Sequence, residues 1–75
     1  MISVLVLVQC NYSFLSQIKS HINKMEGLEF LYEVIDNYNL ILKLSAETKE
    51  ELQGKVGKIS HIPNTANVLS LIVLQ

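Results

Sequence analysis

Hydrophobic and polar positions divide the chain into six alternating stretches. Ile2–Gln9 (ISVLVLVQ) is short, unbroken and rich in valine, the composition of a strand. Ile2, Val4, Val6 and Val8 fall on one face, with Leu5 and Leu7 on the other, so this strand is apolar on both sides and needs cover on both. Asn11-Tyr12-Ser13 breaks the run, and Asn11 or Ser13 is placed to cap a helix. Leu15, Ile18, Ile22 and Met25 then recur at helical spacing, with Lys19, Asn23 and Lys24 off the stripe. Gly27 stands where a left-handed residue ends such a helix.

Leu28–Ile35 (LEFLYEVI) reads as a second strand. Leu28, Phe30, Tyr32 and Val34 share one face; Glu29, Leu31, Glu33 and Ile35 share the other. Asp36-Asn37 supplies turn chemistry, and Asn39–Ser45 (NLILKLS) returns as a third strand, giving a hairpin. Thr48-x-x-Glu51 has the form of a capping box, in which the hydroxyl accepts the third amide and the Glu reaches back. Leu52, Val56 and Ile59 form the stripe of that helix. Gly54 and Gly57 weaken it, by about 1 kcal/mol each relative to Ala. Pro63 marks its end, and Val68–Leu74 (VLSLIVL) is a fourth strand, again apolar on both faces.

The order β-α-β-β-α-β predicts an α+β, ferredoxin-like fold: a four-stranded antiparallel sheet with both helices on one face. Residues 1–75 read as one domain. Two helices cover one face of such a sheet, while the first and last strands are apolar on both. The uncovered face is therefore expected to meet another sheet, by default that of a second copy in a twofold dimer.

Composition sharpens that expectation. Hydrophobic residues make up 49% of the 75-residue chain and charged residues 17%, against about 25% charged in ordinary domains. A domain this small leans on disulfides, metals or partners. Cys10 is the single cysteine and suits a reducing compartment; it reads as a small buried hydrophobe rather than a reactive thiol. His21 and His61 make no ligand cluster, so no metal or cofactor is expected. The net charge is −1, the six Lys are scattered and Arg is absent, which disfavours direct nucleic-acid binding. Tyr12, Tyr32 and Tyr38 lack the basic company of a base-stacking sheet. No leader pattern opens the chain and no apolar run approaches the length of a membrane span, so a cytoplasmic protein is expected. No nucleophile motif or phosphate loop is present, and no catalytic residue is assigned. A small dimeric α+β-barrel enzyme with one His as base is the remote alternative.

The run Val34-Ile35-Asp36-Asn37-Tyr38-Asn39 followed by Leu40-Ile41-Leu42-Lys43 resembles a turn-and-strand motif of the RAM module. So does Ile62-Pro63-Asn64-Thr65 before Val68-Leu69-Ser70. That module is the C-terminal effector-binding and oligomerisation domain of Lrp/AsnC transcription regulators, and the resemblance extends over essentially the whole chain. Family members normally carry an N-terminal helix-turn-helix, which this sequence lacks, so the resemblance implies a stand-alone RAM protein. It also implies sheet-to-sheet dimers that assemble into rings and bind an amino acid or related metabolite between dimers. The candidate ligand residues it carries over are Tyr38, Asn39 and Ser70, with Asn37 beside them. Three positions depart from the pattern. Asp36 replaces a glycine, Val68 replaces a threonine, and Asn39 replaces an aspartate that would hold an ammonium group. Asn39 accepts a hydrogen bond but brings no charge, and charge-assisted bonds are roughly twice as strong. That loss keeps a second role open: a ligand-free adaptor that co-assembles with full-length Lrp/AsnC-type regulators.

Overall fold

A computed structural model describes residues 1–73. Its elements are β1 (Ile2–Cys10), a one-turn 3-10 helix (Tyr12–Phe14), α1 (Leu15–Asn23), β2 (Leu28–Glu33), β3 (Leu40–Ala46), α2 (Lys49–Ser60) and β4 (Thr65–Val73). The strands form one antiparallel sheet in the order β2-β3-β1-β4, the expected ferredoxin-like arrangement.

Local chemistry sets each boundary. Asn11 Oδ1 accepts from the Ser13 amide at 3.0 Å and its hydroxyl at 2.7 Å, capping the 3-10 turn that runs into α1. Thr48 Oγ1 accepts from the Glu51 amide at 3.2 Å, the forward half of the capping box. Gly27 has φ +84°, and a Cβ there would lie 2.3 Å from the Ser45 carbonyl oxygen. That space is used, because Gly27 O accepts from the Ser45 amide at 2.9 Å. Asn64 adopts φ +74°, a left-handed conformation that Asn tolerates. The chain thereby turns early, and β4 starts at Thr65 instead of the expected Val68. The expected last residue of that strand, Leu74, lies outside the described residues.

The core lies between sheet and helices. Val4, Val6 and Val8 of β1 and Leu40, Leu42 and Leu44 of β3 alternate inward and are all but fully buried. They meet Ile18 and Ile22 of α1 and Leu52 and Ile59 of α2. Burying each such side chain stabilises the fold by about 1.5–3 kcal/mol. Cys10 joins this cluster, and burial pushes its thiol pKa up, as expected of a small hydrophobe.

One expectation about faces is corrected. A register shift between Leu28 and Phe30 turns part of β2 over. Leu28 pairs with Leu44, and Leu31 with Leu42, on the helix side. Phe30 and Tyr32 pair with Lys43 and Ile41 on the other side, their rings stacked 5.1 Å apart. Glu29 and Glu33, expected to share a face, are separated. Glu33 bonds Lys19 of α1 at 2.7 Å, while Glu29 lies beside Lys43, 3.9 Å away.

Candidate functional site

The strand registers define the uncovered face. Tyr32, Ile41, Leu7 and Leu69 form one row across it, and Phe30, Lys43, Leu5 and Leu71 the next. Leu69 and Leu71 are 43% and 54% exposed, and Tyr32 is 61% exposed. The helices bury the opposite face, so among the described residues nothing covers these side chains.

The turn between β2 and β3 sits at one end of the sheet. Its stem is closed by the Val34 amide, which donates to Asn39 O at 2.9 Å, and by the Asn39 amide, which donates to Val8 O at 2.8 Å. Asn39 Oδ1 accepts from the Cys10 amide at 2.7 Å, and the residue is buried. Asn39 thus serves as a cap for the end of β1, completing the ladder where β3 stops. The sequence pattern marked the residue but not this use, because the partner lies 29 positions away.

Asn37 is exposed, and its amide donates to Asp36 Oδ1 at 2.7 Å. Its carbonyl accepts from Gln9 Nε2 at 2.9 Å, and Gln9 Oε1 accepts from Asn67 Nδ2 at 2.6 Å. Gln9 and Asn67, unremarked in the sequence, therefore tie the turn to the ends of β1 and β4. A polar pair separated by 58 residues leaves no local signal. Tyr38 is half-buried between these groups in sequence.

Ser70 lies elsewhere. It pairs with Val6 on the edge strand β4, on the helix side of the sheet. By strand geometry it stands about 14 Å from Asn39. Within one chain the structure brings Asn37, Tyr38 and Asn39 together and leaves Ser70 apart. Ser70 instead opens onto a notch of 150 Å³ between α2 and β4, lined by Val4, Leu52, Gln53, Val56 and Ile72 as well. This volume is mostly apolar, with one hydroxyl and one amide at its wall.

The histidines do not meet a ligand set. His61 Nδ1 lies 2.7 Å from Gly57 O, a bond within the end of α2, and His21 lines a cleft with Lys24, Lys55 and Lys58. Lys55 is engaged there, donating to Glu26 O at 2.6 Å and Ser45 O at 3.3 Å. Among the described residues no group of three or more His, Cys, Asp or Glu could hold a metal ion. Among them also, no helix is long and apolar enough to cross a membrane.

No family model and no curated protein matches the chain. Solved structures do. FFRP-DM1 superposes with a TM-score of 0.92 at 20% identity, over 99% of this chain and all of that one. TTHA0845 from Thermus thermophilus gives 0.92 at 20% identity, over all of this chain and 95% of that one. E. coli AsnC gives 0.89 at 17% identity, over 99% of this chain but 51% of AsnC, so the chain spans about half the length of that protein. Identity at this level speaks to the fold, and the chain has the fold of these FFRP and AsnC/Lrp structures.

Proposed function

We propose that residues 1–75 form a single regulatory domain that works by assembly and effector binding, without catalysis and without touching nucleic acid itself. Copies pair through the open sheet face, the pairs assemble further, and a small metabolite, an amino acid or a relative of one, binds between them. Such a module acts on transcription in the cytoplasm by way of its assembly. The observation that carries this reading is the open face, apolar across all four strands, in a fold shared with AsnC. The effector part is supported by Ser70, which with Gln53 supplies the polar lining of the 150 Å³ notch between α2 and β4. Asn37 and Tyr38 form the other wall in this reading, contributed by a neighbouring copy. That arrangement accommodates their distance from Ser70 within one chain.

Thermal unfolding at fixed protein concentration, against each amino acid at millimolar level, tests the effector. A ligand at about 100 times its dissociation constant adds about 2.7 kcal/mol. In a domain this small that is a shift of roughly ten degrees or more. A shift with one amino acid, lost in Ser70→Ala, supports the reading. Ser70 is exposed and outside the core, so that variant folds. A flat panel removes the effector from the proposal.

One observation favours a second reading. Asn39 Oδ1, where an effector's ammonium would be held, already accepts from the Cys10 amide. A ligand-free adaptor that co-assembles with full-length AsnC-type regulators does not need that oxygen. Mixing the two proteins and measuring the mass of the complex separates the readings: an adaptor yields a mixed assembly without any added metabolite.

A further inference from the structure

The open face contains one charged residue where its position is hardest to explain. Lys43 stands on the central strand β3, in the row Phe30, Lys43, Leu5, Leu71, inside the apolar band. The polar residues of the face otherwise keep to its two ends, Ser3 and Ser45 at one and Gln9 and Asn67 at the other. Lys43 Nζ lies 3.9 Å from Glu29 Oε1, and Glu29 Oε2 accepts from Ser3 Oγ at 3.5 Å. The β2 register shift puts Glu29 there, away from Glu33 and the helices. Lys43 and Glu29 are the charges that the strands present on this face, one of each sign.

We propose that, where two copies of the chain pair through this face, Glu29 makes the pairing possible by neutralising the two Lys43 side chains brought together at its centre. The proposal rests on the self-association reading above and adds the residues that govern it. A twofold axis relating two sheets face to face lies in the plane between them. Lys43 sits half a strand spacing and half a row from the middle of the band, or about 4 Å. Rotation about any such axis through the middle leaves its mate within about 8 Å laterally, across sheets about 10 Å apart. The long side chains close that gap. Two ammonium groups then share a region drained of water, where their repulsion is least screened. A carboxylate beside each removes the net charge.

Charge balance also favours a second copy as the occupant. A twofold interface is the same surface on both sides and must complement itself. A face with one Lys and one Glu does so. Size agrees: four strands of this length present roughly 500 Å² of projected face, more once side-chain relief is counted. A specific interface needs about 800 Å² of accessible surface per partner. A stable dimer therefore uses the whole face, Lys43 and Glu29 included.

Fluorescence-detected sedimentation of the full chain, down to nanomolar concentration, provides the test. Four proteins are compared: wild type, Glu29→Gln, Lys43→Met and the double variant, each checked for native circular dichroism. Glu29→Gln is expected to raise the dimer dissociation constant by at least about tenfold, since it strands the paired lysines. Lys43→Met is expected to raise it as well, since it strands the Glu29 carboxylates, and the double variant to recover wild-type affinity. Dissociation constants that ignore both substitutions would place the pair outside the interface and overturn the proposal. So would a Glu29→Gln loss that persists in the double variant, because Glu29 would then act on something other than Lys43. A wild-type chain that stays monomeric overturns the self-association reading itself, before any variant is made. If that monomer is taken up by a full-length AsnC-type regulator, the face belongs to that partner instead.

Discussion

Replacing Asn39 by alanine removes one atom that the fold uses, and its cost follows from the geometry. Asn39 Oδ1 accepts from the Cys10 amide at 2.7 Å in a buried setting. The amide belongs to the last residue of β1, beyond the final pairing of β1 with β3 at Val8 and Leu40. Without the oxygen, that N–H is left without a partner, and orphaning a buried donor costs about 1–3 kcal/mol. Taking about 2 kcal/mol, a domain of this size loses roughly 8–16 °C in midpoint. Asn39→Asp keeps an acceptor at the same place, and a carboxylate bonds an amide at least as strongly. The aspartate variant should therefore remain within about 1 kcal/mol of wild type, less than the alanine cost. Chemical denaturation at one fixed protein concentration measures both, because assembly makes stability concentration-dependent. Hydrogen exchange adds a local readout: the Cys10 amide should lose protection in Asn39→Ala and keep it in Asn39→Asp. Equal destabilisation of the two variants, or an alanine variant as stable as wild type, would refute the assignment of Asn39 as a strand cap.

Three further substitutions have outcomes fixed by local geometry. Gly27→Ala combines a left-handed φ of +84° with a Cβ 2.3 Å from Ser45 O, so it should cost more than the roughly 1–2 kcal/mol of the backbone alone, read by denaturant midpoint. Thr48→Ala loses the bond from the Glu51 amide and should cost about 1 kcal/mol, with α2 fraying first in hydrogen exchange. Cys10 binds its proton more tightly folded than unfolded, because burial raises its pKa. Between the unfolded and folded values the native state holds the extra proton. The stability Cys10 contributes is thus whole below the ordinary thiol range and lost as pH rises through it. Wild type minus Cys10→Ala, measured across that range, should fall with pH; a flat difference contradicts the burial of the thiol.

Much of this fold is legible in the residues because its signals are local. Val-rich Ile2–Gln9, the stripe Leu15, Ile18, Ile22 and the Thr48 cap each announce an element within a few positions. All four strands and both helices stand in the expected order. What escaped the sequence depends on distant partners. LEFLYE reads as simple alternation, yet the register shift at Leu28/Phe30 is set by how β2 meets β3, and it moves Glu29 to the open side. The early start of β4 follows the left-handed conformation of Asn64, which no neighbouring residue announces. The site was less legible than the fold. The turn Asn37–Asn39 stands where the pattern puts it, but Asn39 Oδ1 is engaged by the Cys10 amide, and Gln9 bonds the turn while Asn67, from the far end of the chain, bonds Gln9. Ser70 carries its hydroxyl on the helix side, a direction that only the pairing with Val6 fixes.

The central claim is that the open sheet face is an assembly surface. Sedimentation velocity of wild type beside Leu7→Lys addresses it most directly. Leu7 lies on the central strand β1 between Ile41 and Leu69 and points away from the core. A lysine there leaves Val6 and Val8 packed and puts a charge into the middle of the band. The account predicts a wild type that sediments as a dimer or a multiple of it, and a Leu7→Lys chain that sediments as a folded monomer. A monomeric wild type, or an assembly that Leu7→Lys leaves intact, would contradict it.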